Sequence, residues 1–497
     1  MKNKLFKFFM AMIMTYLTLC VSISFSAYHH MNENDSDQFT DVYSSKEHTK
    51  LDSCALCHSG GQYEKKPGVY ITMGSCQWCH YKFGYNGSGN IEDTLNSYGN
   101  DYKINGRDAN AVRKIDTLDS DGDGFSNNEE ILLLRYPGDE NDHPNKVVAP
   151  FRVYSKADLN RLPQRTQFML MNTHRSGDFY AEYSGVSLEE LLADAGMLET
   201  ATGITVYAPD GWSTYHPLEP VEDPSLYHIQ GIYPEAIFYH DPSADWCDYS
   251  APLCSAFENG SRIPVTGGLK SLLAIIRDGV PLTPGRLNSD NQLDGSGPYR
   301  IVVPQKVHCA PDQSAKSDNQ DVVWPFNNDW DHNAGFCTRS VTIIKVEPLP
   351  EGTTDIDFME AGWNFIDDEK IIIYGAIEGV TGKLSGQINC LENDGKKPFS
   401  GVTVTIKETG HTVNTEEDGS FHIDDLPVGT FSVSMKHNND FLIMLDEINI
   451  AEGQTTILPA CSFPSKKNLW DINNDNKVGL VDIVHWFKII TGLSSNQ

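Results

Sequence analysis

The stretch SCALCHSGG, residues 53–61, sets two thiols three positions apart, Cys54 and Cys57, and follows them at once with an imidazole, His58. A second copy, GSCQWCHYKFG, carries Cys76, Cys79 and His80, with Cys76 lying 22 residues after Cys54. A Cys-x-x-Cys pair alone reads as a redox dithiol or as half of a zinc site. A histidine directly after the second thiol adds a ligand that neither reading needs.

Two thiols on one helical turn can add to the two vinyl groups of a haem, and the adjacent histidine then reaches the iron. This is the c-type attachment pattern. Two copies predict two covalent haems, held by Cys54, Cys57, Cys76 and Cys79, with His58 and His80 as proximal ligands. Zinc or a disulfide is the alternative reading of the same thiols. Spacing does not fix the sixth ligands. His29 and His30 are the first candidates, and His48 and Met73 come next. Two imidazoles would give lower potentials than an imidazole with a thioether.

Downstream, the segment DSDGDGFSNNEE alternates acids in the manner of an EF-hand loop. Asp119, Asp121, Asp123, Phe125 (through its carbonyl), Asn127 and Glu130 fill the ligand positions, and Gly124 permits the sharp turn. The run EEILLLRYPGD predicts a short helix ending at Pro137 and Gly138. Calcium here is expected to act as a staple, since a small haem domain has little apolar core of its own.

Taken together, these motifs and the stretches TLNSYG and YPGD resemble the N-terminal part of diheme proteins that carry a GEGP motif. The matching later stretch, DGSGPYRIVVPQ, has Gly295, Ser296, Gly297 and Pro298, with serine in place of the glutamate. The resemblance implies two covalent haems.

The N-terminus has a basic start (Lys2, Lys4, Lys7), an apolar run from Phe8 to about Cys20, and small residues up to Ala27. That layout predicts a signal peptide over 1–26, and so a periplasmic, secreted or cell-surface protein. The formal net charge of the 497-residue chain is −30. So acidic a chain is not expected to bind nucleic acid or anionic lipid. Six cysteines lie outside the leader and the two motifs, and an oxidising compartment permits pairing. Proximity suggests 247–254, 309–337 and 390–461.

Residues 150–350 mix strand-like runs (ITVYAP, YRIVVP, RSVTIIKVEPL) with helical ones (SLEELLADAGML, GLKSLLAIIRDG). An α+β domain is expected. The order GVSLEELLADAGM, GITVYAPDGWSTYHPL, LLAIIRDGVPL, GPYRIVVPQ resembles the sulfite oxidase-type molybdopterin fold. In that family a cysteine thiolate near the end of an early strand holds the metal. The matching strand here, RTQFMLMNTHRSGD, has Met169, Met171, Asn172 and His174 but no cysteine, so no molybdenum cofactor is expected. His174 and Arg175 are candidates for an anion. His308, Trp330, Asp331 and His332 are read as a structural loop.

Beyond a linker at 351–382, the alternation in VTVTIKE and TFSVSM predicts half-buried strands. The pattern TEEDGSFHIDDLPVGTFSV resembles carboxypeptidase-regulatory-like β-sandwich modules, placed at 383–462. The final segment, 463–497, contains LWDINNDNKVGLVDIVHWF, which sets Asp471, Asn473, Asp475, Lys477 (by its carbonyl) and Asp482 in a second calcium loop. It resembles one half of a dockerin, which implies a cohesin-like surface partner.

The expected architecture is multidomain. It comprises a small, mostly α haem domain (27–149), the α+β middle domain, a β-sandwich, and a short helical calcium-loop segment. The expected function is one-electron transfer by an exported diheme cytochrome, with heme c (two), calcium (one or two), and a redox protein or extracellular acceptor as partner. The alternatives are a molybdenum oxidoreductase that uses the haems as its electron exit, and a cell-surface assembly or adhesion protein.

Overall fold

The computed structural model describes residues 34–464, apart from 48, 67–68, 85–87, 174–176, 211, 223–225, 242–246, 289–292, 313–330, 358–361, 393–394 and 438–440. The leader, His29, His30, His48, His174, Arg175, Trp330 and the C-terminal calcium segment with Asp471, Asn473, Asp475, Lys477 and Asp482 lie outside the described residues. The chain is multidomain and mostly β. One compact unit comprises the described parts of Met1–Ala149, Leu162–Ala193 and Thr200–Ile371. The other comprises those of Pro150–Arg161, Asp194–Glu199 and Ile372–Gln497. Among the described residues no helix is long and apolar enough to cross a membrane.

Among the described residues the first unit carries, up to residue 132, the short helices α1 (Asn34–Thr40), α2 (Ser75–Phe83), α3 (Ser97–Ile104), α4 (Ala109–Ile115) and α5 (Asn127–Leu132). An antiparallel hairpin of β1 (Gly61–Lys66) and β2 (Val69–Met73) lies between the two thiol motifs. Helices this short do not persist alone in water, so caps and packing must hold them. The Asn96 side chain accepts from Gly99 N at 2.8 Å, and Asp108 accepts from Ala111 N at 2.8 Å. Ser126 and Glu129 form a capping box. Each cap stabilises by about 1 kcal/mol. The apolar faces meet in one small core that includes Phe39, Tyr43, Leu51, Leu56, Tyr98 and Ile131. The helix expected to run on to Pro137 stops at Leu132, and Leu134 adopts a positive φ of 58°.

The rest of this unit is β-rich. Gln164–Met171 pairs antiparallel with Asp178–Ser187, which pairs antiparallel with Leu272–Arg277; the latter also carries Arg300–Val302. A second group sets Gly203–Tyr207 between Ser213–Pro217 and Ile343–Glu347. The run GLKSLLAIIRDG, expected as helix, is a strand. Its apolar residues are paired on both sides in the sheet, and such a site takes a continuous apolar strand. Leu188–Asp194 is helical as expected. The expected linker is not a spacer: Gly362–Asp367 is helical, and every residue of Lys370–Gly375 is buried in strand.

The second unit is a β-sandwich. One sheet is centred on Thr381–Glu392, which pairs with Ser420–Pro427 and Gly395–Pro398 antiparallel, and with Thr455–Ile457 and Cys461–Pro464 parallel. In the other, Thr403–Ile406 and Phe441–Ile450 flank Gly429–His437. Alternation puts Val404, Ile406, Val433 and Met435 inside. Gly419 turns the chain at a φ of 76°, as the Asp-Gly signal predicts.

The expected disulfides do not form. Cys247, Cys254, Cys309, Cys337, Cys390 and Cys461 are all free thiols. Cys309 Sγ instead faces Gln305 Nε2 at 3.0 Å, while Cys337 Sγ accepts from Val303 N at 3.4 Å. Cys461 pairs in register with Ile388, two positions short of Cys390.

Candidate cofactor and metal centres

The first motif is a single 3-10 turn, Cys54–Leu56, capped by Ser53, with His58 N donating to Cys54 O at 2.8 Å. Residues 94–99 clamp this turn from outside. The Asn96 side-chain amide donates to Leu56 O at 3.0 Å, and its backbone N donates to Cys57 O at 2.9 Å. Ser59 N donates to Thr94 O at 3.0 Å. Position 99 must be glycine, because a Cβ there would lie 2.2 Å from Cys57 O. Cys57 itself packs against the helical core.

The second motif opens α2. The Cys76 and His80 side chains lie outside the described set, while Cys79 and Trp78 lie within it. Trp78, between the two thiols, is 9% exposed and covers Gly61, where a Cβ would fall 2.1 Å from the indole. The two motifs are therefore packed together by a tryptophan of one against the glycine that follows the other.

Thr94, fully buried, joins them at closer range. His58 Nδ1 lies 2.7 Å from Thr94 Oγ1, and that hydroxyl donates to Ile91 O at 2.7 Å. With its proton committed to Ile91, Thr94 accepts, so Nδ1 carries the imidazole proton and Nε2 is left with its lone pair. A metal-ligating histidine needs this tautomer and this kind of support. The helix α2 of the second motif packs against the turn Ile91–Thr94 that Thr94 ends. The residues around the first motif thus fit a haem bound through Cys54, Cys57 and His58.

Burial acts on the thiols in the direction opposite to that of a reactive dithiol. Burial pushes Cys57 up to about 12 and raises Cys79 as well, whereas a reactive pair is lowered. Cys54, Cys57 and Cys79 do not form a metal cage. Among the described residues, the group of metal-binding side chains whose ligand atoms all lie within 4.8 Å of one another is Asp119, Asp121 and Asp123.

That carboxylate group is the acidic loop. Asp119 accepts from Gly122 N at 2.7 Å and Gly124 N at 3.0 Å, and Asp123 accepts from Phe125 N at 2.9 Å. Gly122 and Gly124 have φ of 86° and 100°, a conformation that favours glycine. Glu130 is fully buried, and both of its carboxylate oxygens lack a hydrogen-bond partner; one oxygen each of Asp121 and Asp123 shares that state. Desolvation and the facing acids push Glu130 up to about 9 and Asp121 to about 6. Buried, unpartnered carboxylates facing one another fit a hard divalent cation. Asn127, expected as a ligand, serves the frame: its amide donates to Ile115 O at 2.8 Å and Ser120 Oγ at 2.9 Å, and its oxygen accepts from Ser120 N. The Phe125 ring stacks on His143 at 6.0 Å.

The loop is wired to the first motif. Tyr43 OH donates to Asp116 at 2.5 Å and accepts from Asn128 at 2.9 Å, so a residue before the loop and one within it are tied to the core that holds Leu56.

In the middle region, sequence missed one thiol. The strand Gln164–Met171 ends beside Cys309, whose Sγ lies 3.5 Å from Asn172 Nδ2 although 137 residues separate them. Burial pushes this thiol up to about 11. His332, read as structural, pairs with buried Asp312 at 3.2 Å.

No family model matches the chain, and no curated protein does. Among solved structures, a type II cohesin–X-dockerin complex from Acetivibrio cellulolyticus is 20% identical over 22% of this chain and 72% of that one, with a TM-score of 0.16. The pilus 2b backbone protein of group B streptococcus is 9% identical over 66% of this chain and 98% of that one, with a TM-score of 0.15. Scores this low carry no argument for a shared fold, and these likenesses go no further than local similarity.

Proposed function

We propose that the chain is an exported one-electron carrier, a diheme c-type cytochrome with a calcium-stapled haem domain. The observation that carries this reading is Thr94, which fixes the His58 tautomer and ends the turn on which the second motif's helix packs. When bound, haem supplies the one-electron couple. The chain supplies the thiols Cys54, Cys57, Cys76 and Cys79, the imidazoles His58 and His80, and the clamp of residues 94–99. Calcium held by Asp119, Asp121, Asp123 and Glu130 cross-links α4 to α5, on whose apolar faces the first motif rests. The sandwich and the C-terminal segment serve as scaffold, and a cohesin-like surface protein is the partner that segment would take. The test is a redox titration followed by visible absorption. Two one-electron steps are expected, and a protein with no redox-active chromophore removes the reading.

A second reading is favoured by Cys309. A molybdenum oxidoreductase needs a thiolate beside the strand end at Asn172, and Cys309 stands there. Metal analysis separates the two readings: iron at two per chain without molybdenum supports the carrier, and stoichiometric molybdenum supports the enzyme.

A further inference from the structure

Arg300 begins the strand Arg300–Val302, opposite Ala274. It is only 8% exposed. Its guanidinium lies 5.9 Å from the Tyr183 ring, with Nη1 3.5 Å from the Tyr183 hydroxyl, and its buried Nε has no hydrogen-bond partner. Among the described residues it makes no ion pair. Burying a guanidinium with a donor unspent is costly by ordinary desolvation, so a site that keeps one calls for an anionic partner.

Arg300 lines a cavity of about 230 Å³, and Arg339 lines the same cavity. Arg339 exposes part of its side chain, yet partial desolvation and the neighbouring Arg300 charge both lower its pKa, against Asp210 and Asp294. Trp212, Thr338 and Cys337 line it too, as does Asp210, a single carboxylate against two guanidinium groups. Two guanidinium groups on one small cavity, one of them buried with a donor unspent, match the fork geometry that recognises oxyanions. The volume suits an inorganic anion and its water rather than a large cofactor, whose pockets begin at about 300 Å³.

We propose that this cavity is a binding site for a small oxyanion of the phosphate class, held by Arg300 and Arg339. The site is independent of the haem motifs and of the acidic loop, and stands whether or not those are loaded.

The test is calorimetric titration of inorganic phosphate into full-length, calcium-loaded protein freed of excess calcium, at constant ionic strength. Saturable one-site binding with a Kd of about 1 mM or tighter is expected. Arg339→Gln, at an exposed position, is expected to weaken it about tenfold or more, and Arg300→Gln to abolish it. Thermal melts check that each variant folds; if Arg300→Gln does not, Arg339→Gln decides alone. Absence of saturable heat with the parent protein, or undiminished affinity in Arg339→Gln, overturns the proposal.

Discussion

His58 Nδ1 and Thr94 Oγ1 lie 2.7 Å apart, and the Thr94 proton is spent on Ile91 O. That one contact decides which nitrogen of His58 stays free, so it bears directly on any metal the histidine holds. Accepting from Nδ1–H also makes the imidazole more basic, which favours the oxidised iron. Thr94→Val removes the acceptor and is expected to raise one of the two haem potentials by on the order of tens of millivolts. Thr94→Ser should leave both where they are. Spectroelectrochemical titration reads both variants, and a purely structural role for Thr94 would move stability without separating them.

The acidic loop gives an expectation about calcium. Glu130, Asp121 and Asp123 leave buried oxygens unpartnered, so the calcium-free domain carries their desolvation cost. Calcium at about 100 times its Kd should add about 3 kcal/mol of stability, seen as a higher melting temperature that a chelator reverses. Glu130→Gln should abolish most of that calcium-dependent gain while folding normally without calcium, since a buried amide replaces a buried, unpaired acid.

His216 sets a pH dependence. It is fully buried with Nε2 unpartnered, and desolvation lowers it from 6.5 to about 4. The folded state binds the proton less readily than the unfolded chain. Its contribution is therefore complete above pH 6.5 and is lost as pH falls toward 4, by about 3 kcal/mol over the window. Urea midpoints at pH 7 and pH 4.5 should differ less in His216→Leu than in the parent by a comparable amount.

The buried pair of Lys50 and Asp142, at 2.8 Å, sits just before the first motif, with Lys50 N donating to Asp357 at 2.9 Å. Asp142→Ala strands the ammonium and is expected to cost about 3–5 kcal/mol. A chemical melt of the variant measures it. An unchanged midpoint would mean that water reaches Lys50.

The free thiols allow a count. Denatured, unreduced protein should release six titratable thiols, from Cys247, Cys254, Cys309, Cys337, Cys390 and Cys461. Reaction with a thiol reagent in denaturant gives the number, and a value near zero would restore the disulfides that the sequence suggests.

How far the sequence reached depended on whether the signal was local. The strands Gly203–Tyr207 and Ile343–Glu347 and the acidic loop were legible because alternation and spacing are local properties. The run LLAIIR was misread because an apolar stretch of that length suits a buried helix and a central strand equally, and only its two neighbours decide. Thr94 carried no signal, since its role comes from a turn folded back onto residues 57–59. Cys309 beside Asn172 and Arg300 beside Arg339 are likewise made by topology, and no pattern along the chain marks them.

The central claim is that Cys54, Cys57, Cys76 and Cys79 are thioether-linked to two porphyrins. Intact mass, with a pyridine haemochrome assay, on protein matured in a host with cytochrome-maturation machinery tests it most directly. The expected result is the mature polypeptide plus two covalent haems and a c-type spectrum. A colourless product of bare polypeptide mass would contradict it.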